Sequence, residues 1–179
     1  MIQLFTELQE KKNVRSNLSA LRASLKEATE EQKAQAIEFV RGHEDLVFGF
    51  LQEEDAKTRK NAALLLGDLA VQNALQPLWK AYTREQTLFV KSAYLEAMKA
   101  LHAEEILSQL KDRLAELEGE PVTEENRKHW EAELRALRAI LLQYEGIDTH
   151  HFDIKQKNNH VLLVTNRNHR GILENQTGG

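Results

Sequence analysis

The apolar positions of the first 146 residues recur with helical spacing. Leu18, Leu21 and Leu25 fall at i, i+3 and i+7, which predicts one buried helix face. Ahead of them, Ile2 to about Gln9 forms a first short helix. Thr29 followed by Gln32 has the spacing of a capping box and predicts a third helix, closed at Gly42 by a left-handed glycine. A brief helix spans about Glu44 to Gln52, the polar run Glu53-Glu-Asp-Ala-Lys57 turns the chain, and the next helix covers Thr58 to Ala70. Pro77 suits the first turn of the following helix, and Thr87 is placed to cap the one after it. Farther on, Leu107, Leu110, Leu114 and Leu117 repeat a spacing of 3, 4, 3, and Trp130, Leu134, Leu137, Leu141 and Tyr144 continue it beyond the turn Gly119-Glu-Pro121. Two longer helices in an antiparallel hairpin are predicted there, closing the helical region.

These helices repeat. Leu46-Val-Phe-Gly-Phe50 aligns with Leu78-Trp-Lys-Ala-Tyr82 at an offset of 32, and the same offset places Thr58-Arg59 on Val90-Lys91, Leu65 on Ala97 and Leu69 on Leu101. Upstream, Val14-Arg15, Leu21 and Leu25 match Thr58-Arg59, Leu65 and Leu69 at an offset of 44, so the extra 12 residues hold one additional helix. Helix pairs recurring at a fixed period predict stacked pairs with a continuous core. In such a stack the small residues Ala62, Ala63 and Gly67 leave room for neighbouring helices.

The chain changes character near residue 146, which divides it into a helical domain, 1–146, and a tail, 147–179. Four of the seven histidines lie in the tail, with its densest run of β-branched residues. Two strands are predicted, Phe152 to Lys155 and His160 to Thr165, around the turn Gln156-Lys-Asn-Asn159. They form either a small hairpin or the start of a following α/β domain.

Composition narrows the classes. The 179 residues carry a formal net charge of -4, which argues against a dedicated nucleic-acid coat or an anionic-membrane binder. Lys155, Lys157, Arg167 and Arg170 against Asp148, Asp153 and Glu174 make the tail +1, leaving -5 for the helical part. Cysteine is absent, which excludes disulfides and thiolate metal sites. The start MIQLFTELQEKKN has charges too early for a signal peptide, so a cytoplasmic location is expected. The longest apolar run, Ala62 to Leu66, is far below the roughly 20 residues of a membrane helix, so no membrane partner is expected.

No phosphate loop, no dinucleotide-binding glycine motif, no His-Glu-x-x-His and no nucleophile elbow occurs, so no catalytic residue, metal or cofactor is assigned to this chain. Arg59, four residues after Asp55, is able to bind an anion, but an ion pair or cap at the helix start is the favoured reading. Arg15 and Lys91 share its repeat position, and bases repeated on successive inner helices also line one face. His150, His151, Asp153 and His160 are metal ligands in type but lack a rigid helical spacing, and solvated loop histidines are the favoured reading. Trp79, Trp130, Phe48, Phe50, Tyr82 and Phe89 raise the prospect of a base-stacking platform, although helical spacing sends most of them to the core. The pentad Asn166-Arg-Asn-His-Arg170 follows an apolar strand, where loops carry function.

Asp55-Ala-Lys-Thr-Arg59 and Asn61-Ala-Ala-Leu-Leu-Leu-Gly-Asp-Leu69 resemble HEAT repeats of the short bacterial kind, over about 40 residues. The second copy, Leu88 to Leu101, departs from the pattern, with Gln86 or Thr87 where an acidic turn residue is usual and Lys91 for the arginine. The resemblance implies an all-α fold, a HEAT-like α-α superhelix followed by the small strand-containing tail. A looser likeness covers about 25 residues: a helical-repeat region followed by His160-Val-Leu-Leu-Val-Thr-Asn-Arg-Asn-His-Arg170 is similar to the N-terminal part of bacterial RNA methylases. It implies a non-catalytic binding module of a larger S-adenosylmethionine-dependent RNA methyltransferase, whose catalytic domain lies downstream.

Three readings stand at this point. In the favoured one the module positions structured RNA or a partner, and Lys91, Arg127, Lys128, Arg167, His169 and Arg170 are its partner-binding residues. The alternative is a free-standing HEAT-repeat scaffold for a protein partner. The third is an enzyme resembling HEAT-like DNA glycosylases, which the acidic balance disfavours.

Overall fold

A computed structural model of the chain describes residues 1–145, together with the backbone of 152–157 and 160–165. The helices are α1 (Ile2–Gln9), α2 (Val14–Leu25), α3 (Glu30–Gly42), α4 (Glu44–Gly49), α5 (Ala56–Asp68), α6 (Leu75–Arg84), α7 (Leu88–Ala100), α8 (Leu107–Gly119) and α9 (Arg127–Glu145). Short 3-10 turns at Phe50–Gln52, Gln72–Ala74 and Glu104–Ile106 lie between them. The extended segments β1 (Phe152–Lys157) and β2 (His160–Thr165) pair antiparallel, with Phe152 opposite Thr165. Among the described residues no helix is long and apolar enough to cross a membrane.

The 32-residue offset reappears in the elements themselves. Asp55 and Thr87 are the N-caps of α5 and α7, and each of these helices has 13 residues. Each ends one residue before a cap that is followed by a left-handed residue, Ala70 and His102, both at φ 51°. That conformation costs a non-glycine side chain roughly 1 kcal/mol, so the same strained exit is built twice. The 3-10 turns Gln72–Ala74 and Glu104–Ile106 follow at the same spacing, as do the starts of α6 at Leu75 and α8 at Leu107. The additional helix expected between the first and second copies is α3.

Packing follows from these repeats. α5 lies against α2 on one side and α7 on the other, and α7 in turn packs on α9; α1 covers α2, α6 covers α7 and α8 covers α9. One continuous core runs through them, from Leu18, Leu21 and Leu25 through Leu65, Leu66, Tyr94 and Met98 to Leu110, Leu134 and Leu137. Phe50, Tyr82 and Trp130 belong to it, and Phe48 and Trp79 pack partly buried at its edge. Trp130 Nε1 donates to the Leu117 carbonyl at 2.6 Å, fastening α9 to α8, and the Tyr94 hydroxyl donates to the Leu51 carbonyl at 3.0 Å. Burial holds the Tyr94 hydroxyl in its protonated, donating form, with its pKa pushed up to about 12.

The caps show where local reading succeeds and where it does not. Thr29 and Gln32 form the expected capping box. Gly42, however, is the last helical residue and not a left-handed cap. The chain passes through His43 directly into α4, and His43 closes the end of α3 itself, with its Nδ1 2.8 Å from the Phe39 carbonyl and its ring stacked on Phe39. α5 begins at Ala56, not Thr58, because Asp55 Oδ2 accepts both the Thr58 N–H at 2.7 Å and its hydroxyl at 2.8 Å. Thr87 occupies the N-cap of α7 but its hydroxyl makes no cap bond.

Candidate functional site

Two polar clusters join residues of different helices through buried carboxylates. In the first, Arg59 on α5 forms a fork with Glu85, Nε to Oε2 at 2.8 Å and Nη2 to Oε1 at 3.0 Å. Its Nη1 also donates to the carbonyls of Glu53 at 2.8 Å and Glu54 at 2.7 Å. Glu85 in turn accepts the N–H groups of Gln86 and Thr87, which replaces the Thr87 side-chain cap. The reading of Arg59 as a structural ion pair therefore fits, with Glu85 and not Asp55 as its partner.

The second cluster surrounds Glu133 on α9. Tyr82 of α6 donates its hydroxyl to Glu133 Oε1, Lys91 of α7 donates to Oε2 at 3.0 Å, and Arg113 of α8 reaches Oε1 at 3.0 to 3.1 Å. Lys91 also lies 5.4 Å from the centre of the Tyr82 ring. Four helices are thus joined at one buried carboxylate.

Both carboxylates are pushed toward protonation by burial, yet their partners win. Arg59 and the Thr87 N–H hold Glu85 below the ordinary value of 4.5. Tyr82, Lys91 and Arg113 do the same for Glu133. A carboxyl group with a depressed folded-state pKa stabilises the fold above its unfolded value and loses that contribution as pH falls through the folded one. The melting temperature should therefore hold steady from about pH 7 to about pH 5 and fall below roughly pH 4.5. A thermal melt series should show this fall flattened in the Glu85→Gln and Glu133→Gln variants.

A different environment lies where the first turns of α2 and α5 meet the start of α7. An open groove of about 820 Å³ is lined there by Asn13, Arg15, Lys57, Lys60, Asn61 and Phe89 among others, with no carboxylate in its wall. Among the described residues, no acidic side chain forms an ion pair with Arg15, Lys57 or Lys60. Asp55, which feels the fields of Arg15 and Lys57, is occupied by Thr58, whose bonds are the larger cause of its lowered pKa. The groove is thus a concentrated positive patch on a chain of net charge -4.

Of the residues singled out from the sequence, Arg15 belongs to this groove, whereas Lys91 points its ammonium into the Glu133 cluster. Arg127 and Lys128 occupy the first turn of α9; Arg127 pairs with Glu124 at 2.9 Å, and Lys128 is exposed. Arg167, His169 and Arg170 lie outside the described residues, as do His150 and His151. Lys57 and Lys60 were missed, and Phe89 was named only among six aromatics expected mostly in the core; the offsets of 44 and 32 that align the inner helices carry Asn13 onto Lys57 and Lys57 onto Phe89, a signal for those two but not for Lys60. Comparison with protein-family models, curated proteins and solved structures gives no match for this chain.

Proposed function

We propose that this chain is a non-catalytic helical-repeat binding module, a HEAT-like solenoid in architecture, that holds RNA by its phosphates. The observation that carries the reading is the groove of Arg15, Lys57 and Lys60, in which three cations have no acidic partner among the described residues. Cations clustered near the starts of neighbouring helices meet a polyanion with release of its condensed counterions. The likeness of residues 160–170 to RNA methylases supports a module that positions substrate for an S-adenosylmethionine-dependent methyltransferase, with Arg167, His169 and Arg170 as further candidate RNA-binding residues.

Binding by so few phosphate contacts is expected to be weak and steeply salt-dependent. Titration of a structured RNA at about 50 and about 200 mM salt should show affinity falling with a log–log slope of roughly -2 to -3. Neutralising Arg15, Lys57 or Lys60 should each lower that slope by about one unit and weaken all sequences alike. Lys91→Gln should instead reduce stability and leave the slope unchanged, because its ammonium already serves Glu133. No detectable binding at low salt overturns the RNA reading and leaves the protein-scaffold alternative.

A further inference from the structure

Phe89 is the feature of the groove that phosphate binding does not explain. The residue is 46% exposed, and with Ile2 it is one of two large exposed hydrophobic residues among the described residues. Ile2 sits at the start of the chain, whereas Phe89 stands within a wall that, Val14 apart, is made of cations, amides and hydroxyls. The flanking Leu88 is half-buried and Val90 is fully buried, so the helix had apolar positions enough without exposing a ring. By the repeat offsets Phe89 occupies the place that Lys57 holds on α5 and Asn13 on α2, a single row of side chains across three helices.

We infer that the groove takes unpaired RNA, with one base stacked on the Phe89 ring and the adjoining phosphates held by Arg15, Lys57 and Lys60. The inference rests on the RNA reading above and deepens it by naming the form of RNA. A duplex keeps its base faces within its own stack and offers a surface only phosphates and sugars, to which a phenyl ring contributes nothing. An unpaired base presents an open π-face, and stacking on an aromatic side chain is tolerant of sequence because every base has one. Asn13 and Asn61 line the same groove, and a side-chain amide is able to donate to and accept from a base edge or a 2′-hydroxyl. Asn13 makes no side-chain cap bond to α2, which leaves its amide for such a contact.

The test compares a fluorescein-labelled oligouridylate of about twelve nucleotides with an RNA hairpin duplex of similar charge, at low salt, against the full chain. The parent protein should prefer the single strand. Phe89→Leu should weaken single-strand binding about tenfold while leaving the salt slope and the duplex affinity unchanged, and Phe89→Trp should restore single-strand binding. Because residue 89 is exposed, both variants should melt as the parent does, and a leucine variant that melts early is replaced in the comparison by Phe89→Gln. Equal affinity for the two RNAs, or single-strand binding indifferent to Phe89→Leu, overturns the stacking inference while the phosphate reading stands. Absence of binding to either RNA overturns both.

Discussion

Unfolded in urea, the Glu133→Ala variant is expected to lose about 3 kcal/mol of stability relative to the parent chain. Removing this carboxylate leaves Lys91 without its anion, strips Arg113 of the most buried of its partners, and leaves the hydroxyl of Tyr82, a residue only 1% exposed, without its acceptor. An orphaned buried hydroxyl alone costs about 1 to 3 kcal/mol. The two cations retain roughly a fifth of their side-chain exposure, 20% and 21%, and Arg113 keeps Glu120 at 2.9 Å, which holds the loss to the lower end of the range for a broken buried pair. Replacing the Lys91–Glu133 pair together, as Lys91→Met with Glu133→Leu, should recover part of the loss, since an apolar pair leaves fewer charges to solvate. A Glu133→Ala midpoint within experimental error of the parent would mean that this cluster does not tie α6, α7, α8 and α9 together.

The second large effect concerns Gly67, where α5 meets α7. A Cβ at this position would stand 3.0 Å from the Ala97 Cα and 3.3 Å from its Cβ, so the obstacle is the neighbouring backbone and not a movable side-chain tip. Gly67→Leu should therefore push the two helices apart and cost about 3 kcal/mol, at the upper end for overpacking a core. Gly67→Ala should cost much less, because the tight contact is offset by the roughly 0.5 to 1 kcal/mol that alanine contributes over glycine inside a helix. Ala63, also fully buried, should respond to leucine in the same direction. Unchanged denaturation midpoints for Gly67→Leu and Ala63→Leu would mean that these residues face solvent, and the register of the two helices would have to be redrawn.

The helical part of the chain was legible because its determinants are local or periodic. Thr29 and Gln32 are three residues apart and bond to each other, so their capping box needs nothing from elsewhere in the fold. The period of 32 was readable in Leu46 to Tyr82 and returned in helix ends, 3-10 turns and left-handed residues, because copies of one packing unit must repeat the same turns to bury the same faces. The error at Gly42 has the opposite origin. A glycine there permits a left-handed cap, but His43 supplied another closure through a ring stacked on Phe39, and Phe39 in turn stacks on Phe5 of a distant helix.

What the sequence by itself determined is which segments form helices, since that follows from spacing and capping along one segment. Which cation meets which anion was decided only by the tertiary structure. Arg59 and Glu85 are 26 residues apart and Lys91 and Glu133 are 42, and no periodicity in either segment names the other. Arg15, Arg59 and Lys91 looked alike because they share a repeat position, yet two are held by buried carboxylates and one opens onto the groove. Phe89 shows the same division: Leu88-Phe-Val90 reads as core from composition, but only one face of α7 can turn inward. The packing of α5 and α9 against α7 selects Val90 for that face and leaves Phe89 exposed in the groove that Lys57 also lines.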